Sequence, residues 1–194
     1  MSQSAHPVYH SFREYIAFER ASNVKHEYLE GQVYAMAGGT PEHAAIAANV
    51  VASLNAQLRG KGCRVFTSDL RVRVAMTGLT TYPDVSVVCG KLEVDPDDND
   101  TVVNPVVLVE VLSRSTERYD RGEKFEHCRR IPTLREYLLV SFDKKQLEVR
   151  RREADGSWSV HGAADGGHAV LSSIGCELEV SEVYRDELAE RGGA

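Results

Sequence analysis

From Pro105 to Leu112 the chain runs Pro-Val-Val-Leu-Val-Glu-Val-Leu, apolar at every position except Glu110. A strand with one wet face alternates apolar and polar residues. A run of this kind without alternation belongs to a strand covered on both faces, as the central strands of layered α/β folds are. An ionised carboxylate in such a strand costs several kcal/mol unless it is paired, hydrogen-bonded or bound to a metal. Glu110 therefore asks for a partner. Asp84 is the natural candidate, because Tyr82-Pro83-Asp84 opens the preceding strand, where proline is tolerated, and Val-Ser-Val-Val continues from it into the core. Neighbouring strands can bring their carboxylates to one ion. Two hard oxygen donors, a backbone carbonyl and waters suit Mg²⁺, an arrangement that also cleaves phosphodiesters. The residues leave a second account open: Glu110 paired with an Arg or Lys, and Asp84 merely capping the turn after Pro83.

The rest of the chain supplies the setting. Ser11 followed by Glu14 fits a capping box for a helix ending near Arg20, and His26 to Ala37 is expected to form a hairpin turning at Glu30-Gly31. Thr40 as N-cap and Pro41 at the first helical position predict a helix to Leu58, with Ile46, Val50, Val51, Leu54 and Leu58 at helical spacing. The period then changes to that of strands. A meander through Cys63–Phe66, Leu70–Val74, Val85–Val88 and Val106–Leu112 is expected, then one helix over Thr116–Arg130, then strands over Glu136–Phe142 and Gln146–Arg151. Strands near Trp158 and Val170 and a helix over Glu182–Glu190 complete the expectation. A chain of 194 residues at this composition suits one domain over 1–194, with a core over about 40–152, an N-terminal helix and hairpin over 11–39 and a C-terminal part over 153–190.

The net charge of −6 argues at first against a polyanionic partner, but the distribution qualifies this. From Glu110 to Arg152 there are twelve basic residues against eight acidic ones, so a basic segment begins at the glutamate of interest. A solvated helix face and strand would give the same count. Asp95, Asp97 and Asn99 imitate the start of a calcium loop. Asp100 and Val106 stand where that loop needs glycine and a bidentate glutamate, so a solvated loop is expected over Glu93–Asp100. Cys63, Cys89, Cys128 and Cys176 form no C-x-x-C pair and are expected to be reduced. No stretch approaches a membrane span and no leader is visible at Met1–His10, so a cytoplasmic protein without membrane partners is expected.

Several separated motifs carry a resemblance. Lys25-His26-Glu27-Tyr28-Leu29-Glu30-Gly31, Tyr34-Ala35-Met36-Ala37-Gly38-Gly39 and His43 form the first group. Ser68-Asp69-Leu70-Arg71-Val72, Tyr82-Pro83-Asp84-Val85, Glu110-Val111-Leu112-Ser113, Tyr119-Asp120, Lys124 and Arg135-Glu136-Tyr137 follow in order. Together they resemble the Uma-type restriction endonuclease family of the PD-(D/E)xK nucleases. The resemblance implies a restriction-endonuclease-like α/β core, a mixed central sheet flanked by helices. It further implies Asp84 and Glu110 as metal-binding acids, Mg²⁺ as cofactor with Mn²⁺ as a substitute, and hydrolysis of phosphodiesters in DNA. The usual lysine position, two residues after the glutamate, is occupied by Leu112, so the resemblance implies a lysine supplied from the following helix as Lys124. Gln32 and Cys128 also depart from the family pattern.

Glu27 and His43 fall in matching motifs as secondary candidates, Glu27 as a further acid or supporting hydrogen-bond partner, His43 for phosphate or for the helix start. Asp69, heading a strand with Arg71 and Arg73, is a third. Ser113, Ser115 and Thr116 have no nucleophile elbow around them and suit strand termination and capping. The competing function is a catalytically silent module, binding nucleic acid or a partner on the same fold. A homodimer is the expectation for an enzyme that cuts two strands.

Overall fold

The computed structural model describes residues 9–186. In chain order the elements are α1 (Phe12–Ala21), β1 (His26–Leu29), β2 (Gln32–Ala35), α2 (Pro41–Leu58), β3 (Cys63–Thr67), β4 (Arg71–Arg73), β5 (Thr80–Thr81), β6 (Val85–Cys89), β7 (Val94–Asp95), β8 (Asp98–Val102) and β9 (Val107–Val111). After them come α3 (Glu117–Arg121), α4 (Glu123–Cys128), β10 (Glu136–Val140), β11 (Gln146–Arg152), β12 (Trp158–Ala164), β13 (His168–Leu171), β14 (Cys176–Glu179) and α5 (Val180–Val183). The helix expected over Glu182–Glu190 is thus a single turn that starts earlier, and residues 187–190 lie outside the described part.

The central sheet has the order β12-β11-β10-β9-β6-β3, antiparallel except for the parallel pair β9 and β10. Helices α3 and α4 make the crossover between those two strands, as a parallel connection requires. Helix α2 packs on one face: Val50, Leu54 and Leu58 meet Val85, Val87, Val107, Val109 and Val111, with the β13–β14 hairpin and α5 completing this layer. Phe125 and Cys128 of α4 cover the other face with Leu108, Leu112, Tyr137 and Leu139. β9 is buried at all five positions, as a strand covered on both faces must be.

A second sheet, ordered β2-β1-β5-β4-β8-β7, lies beside this sandwich, with Phe12, Tyr15 and Ile16 of α1 packed on Tyr28. Here the expected single meander is corrected. β3, β6 and β9 do form an antiparallel meander, but β4, β5, β7 and β8 leave it between turns and join the second sheet. Cationic side chains explain why the acidic segment does not stay a solvated loop. Arg71, itself buried, donates to Asp98 at 2.8 Å, and Arg73 to Asp95 at 2.8 Å, so the two aspartates are buried inside a β7–β8 hairpin.

Two other expectations change. The helix over Thr116–Arg130 is divided at Gly122, whose φ of −108° and ψ of −100° are not helical. Cys63 and Cys89 are not reduced but disulfide-bonded, facing each other across β3 and β6 with Cα atoms 4.0 Å apart. Cys128 and Cys176 are free and buried. Among the described residues no helix is long and apolar enough to cross a membrane.

Candidate active site

Strand periodicity places the central carboxylate. On β9 the odd positions Val107, Val109 and Val111 face α2, so Leu108, Glu110 and Leu112 face the α4 side. Glu110 is 4% exposed there, in an apolar wall. α4 answers with Lys124 in its first turn, 3% exposed, whose Nζ lies 2.9 Å from Glu110 Oε1. The contact is close in distance but off hydrogen-bond geometry, so Oε1 remains a buried oxygen without a hydrogen bond. Two further acids close on the same ammonium: Glu27 of β1 at 3.3 Å, and Asp120 of α3 at 3.7 Å. Thr81 Oγ1 donates to Glu27 Oε1 and fixes that carboxylate from the second sheet.

Asp84 immediately precedes β6, whose Val85 is in register with Val109. Its carboxylate extends the ladder by one rung, with Oδ2 accepting the Val111 N–H at 2.7 Å. His43, in the first turn of α2, donates from Nε2 to the Val111 carbonyl at 2.9 Å and lies 3.3 Å from Asp84 Oδ2. The ring comes this close to the β2–α2 loop because Gly39 has no side chain: a Cβ there would stand 2.8 Å from His43 Nδ1. Hydrogen bonding to Asp84 is the main cause that raises the His43 pKa above its ordinary value, and it outweighs burial.

The electrostatics follow from the count of groups. Three carboxylates, Glu27, Glu110 and Asp120, surround the ammonium of Lys124, and the charge of Asp84 reaches Glu110 and Asp120 from beside them. Burial pushes the Glu110 carboxyl well above the usual range; Lys124 opposes this, while the charges of Asp120 and Asp84 add to it. Asp120 is raised as well, chiefly by burial. For Lys124 burial would favour the neutral amine, yet Glu110, Glu27 and Asp120 outweigh it and hold the ammonium well above the ordinary lysine value. The cluster has more acidic than basic groups and is buried, so it favours an added cation or bound protons.

Of the residues expected from sequence, Glu110, Lys124 and Glu27 meet in one cluster, and Asp84 and His43 meet beside it on Val111. Asp69 is not brought there. It is exposed in the turn before β4, paired with Lys25 at 2.6 Å. Asp120 and Thr81 escape sequence reasoning. The spacing Asp120-x-x-x-Lys124 was the available signal for the first, but it equally describes a surface helix pair. Ser113 Oγ accepts the Thr116 N–H at 3.2 Å, a turn-stabilising duty.

Comparison with known proteins bears on the family and the fold. Residues 12–181 match the Uma2 family, described as "putative restriction endonuclease". An uncharacterized protein of Synechocystis sp. is 37% identical over 175 residues, 89% of this chain and 90% of that one. A second from the same organism is 30% identical over 145 residues, 75% of this chain and 82% of that one. The crystal structure of a "putative nuclease" from Anabaena variabilis has a TM-score of 0.71 at 19% identity, covering 88% of this chain and 95% of that one. At that identity the likeness is one of fold, and it makes the mixed central sheet with flanking helices a nuclease-like α/β fold.

Proposed function

Because the chain belongs to the Uma2 family, described as "putative restriction endonuclease", we propose that it is a Mg²⁺-dependent endonuclease acting on DNA, with Asp84 and Glu110 as metal-binding acids and Lys124 as the catalytic lysine. The observation that carries this reading is the buried Glu110 carboxylate, which has one cation, Lys124 at 2.9 Å, against the charges of Asp120 and Asp84.

The residues fit a hard divalent cation. Among the described residues no three His, Cys, Asp or Glu side chains form a ready-made ligand cluster. The match is therefore to a site of two carboxylates, which is how Mg²⁺ is usually held, with water and substrate phosphate completing its shell. Bound there, Mg²⁺ would polarise the scissile phosphate and lower the pKa of a water. The chain's own groups do the rest. Asp84, held by the Val111 N–H and beside His43, and Glu110, carried on β9, would supply the carboxylate oxygens. Lys124 stays charged among its carboxylates and offsets negative charge that grows on the phosphoryl oxygens in the transition state. Glu27 and Asp120 hold that ammonium in place.

A second reading, the silent binding module, is favoured by one feature: Lys124 contacts Glu110 directly, as a structural ion pair would. Plasmid DNA incubated with protein and Mg²⁺ or Mn²⁺ separates the two. Cleavage by the wild type that is lost in Asp84→Ala and Glu110→Ala is the expected result. Equal cleavage in all three, or cleavage in excess chelator, would overturn the site assignment.

A further inference from the structure

Beyond the last turn of α4 two arginines, Arg152 and Arg129, approach one indole, and the charge of a third, Arg135, reaches Arg152. Arg152, ending β11, is in register with Trp158, and its guanidinium lies 5.1 Å from that ring. Arg129 approaches the same ring at 6.0 Å and Phe125 at 5.6 Å. Arg135 is joined to Arg152 through the backbone, the Arg152 N–H donating to the Arg135 carbonyl at 2.8 Å. The Arg152 guanidinium donates to the carbonyls of Arg129, Ile131 and Pro132, so it closes the end of α4 but meets no carboxylate among the described residues.

Among the described residues the only ion pair made by any of the three is Arg129 with Glu126, at 3.2 Å. Glu126 is exposed and Arg129 half-buried, and a pair at the surface contributes little. Glu153, next in sequence to Arg152, is turned to the Ser159 hydroxyl, and Glu136 is occupied by Arg151 and the Ser172–Ser173 turn. Burial, then the charges of Arg135 and Arg129, lower the Arg152 pKa. In a chain of net charge −6, this is a local positive excess held together by backbone and ring contacts rather than by anions.

We infer that Arg129, Arg135 and Arg152 form a phosphate-binding patch that holds the sugar-phosphate backbone of nucleic acid beside the cleavage site. The inference rests on the nuclease reading only for the identity of that anion as the substrate. α4 links the two places: Lys124 stands in its first turn and Arg129 just after its end, about 8 Å apart along the axis at 1.5 Å per residue. Arg135 bonds Val106 at the other end of β9, about 13 Å from Glu110 at about 3.3 Å per residue, so a strand reaching from the site to the patch would span roughly four base steps. Guanidinium groups suit this role because their planar fork matches phosphate oxygens.

The test is binding, measured in chelator so that no cleavage occurs. Fluorescence anisotropy of a short labelled duplex is followed from about 50 to 200 mM salt for wild type, R129Q/R135Q and R59Q/R64Q. Arg59 and Arg64 are exposed, make no ion pair among the described residues, and lie toward the opposite edge of the central sheet, so R59Q/R64Q is matched for charge. The patch predicts that R129Q/R135Q binds about tenfold more weakly at the upper salt, with a slope of log K on log salt shallower by about 2, at roughly 0.9 per lost phosphate contact. The control keeps the wild-type slope. An unchanged slope in R129Q/R135Q, an equal loss in R59Q/R64Q, or a wild type that binds no duplex at the lowest salt would overturn the patch. The nuclease reading fails separately: patch-dependent binding without Glu110-dependent cleavage would remove that reading and leave the patch.

Discussion

Lys124 and Glu110 have opposite effects on the protein that contains them. Replacing Lys124 by Met removes the one cation that Glu27, Glu110 and Asp120 share, and breaking a buried pair in this way costs about 3–5 kcal/mol. Cleavage by whatever fraction stays folded is expected to fall about 10²- to 10³-fold. Glu110→Gln removes one desolvated charge from an acidic excess, so without metal its melting temperature should equal or exceed that of wild type while cleavage is lost. Thermal melts in chelator check both; a marked destabilisation of Glu110→Gln would show that the cluster is balanced without a cation. A pH prediction belongs to Asp98. Burial alone would raise its pKa, but hydrogen bonds from Thr101 and Arg71 and the charges of Arg71 and Arg20 bring it below the ordinary 3.8. A folded pKa below the unfolded one gives stability that is complete above 3.8 and lost as pH falls through the folded value. Asp98→Asn should therefore cost about 3 kcal/mol near neutral pH and progressively less below pH 3.8. Equal gaps in urea denaturation at neutral and strongly acid pH would contradict the pairing. Glu110 stands out in sequence because an interrupted apolar run needs no knowledge of its neighbours. Asp98 does not, because the arginine that buries it lies on another strand.

At the scale of elements, local signals located α1, the β1–β2 hairpin, α2, β10 and β11 closely, since caps, glycine turns and periodicity act over a few residues. Register and sheet membership are set by contacts distant in sequence, which is why β4, β5, β7 and β8 fall outside the expected meander. The Cys63–Cys89 bridge is of the same kind: 26 residues separate the pair, and only the β3–β6 register brings them together. Closing a loop of that length is worth about 3 kcal/mol in the chain-entropy account. Thiol titration of denatured, unreduced protein should find Cys128 and Cys176 alone, and reductant should lower the melting temperature by several degrees. Titration of all four cysteines without reductant would contradict the bridge. Gly122 separates α3 from α4, and a Cβ there would stand 3.0 Å from the Arg118 carbonyl. Gly122→Ala is expected to cost about 1–2 kcal/mol as the backbone gives way, and to reduce cleavage more than stability because α4 carries Lys124. Equal losses in both would mean that the helix break positions nothing.

Across the whole molecule, one cluster is assembled from both sheets: Glu27 and Thr81 come from the second, Glu110 from the central one, and Lys124 and Asp120 from the crossover helices. That sharing argues for a single cooperative unit over the described residues, so calorimetry should show one unfolding transition, and two resolved transitions would contradict it. Motif order along the chain made the nuclease-like architecture legible. The acid held by His43 and the ammonium held by three carboxylates were not, because they depend on which faces meet. The central claim is that the acidic excess around Asp84 and Glu110 is a divalent-cation site. Isothermal titration of Mn²⁺ into wild type, Asp84→Asn and Glu110→Gln tests it most directly. The account predicts saturable binding by the wild type, displaced by Mg²⁺ and lost in both variants; no uptake by the wild type, or uptake unchanged in the variants, would contradict it.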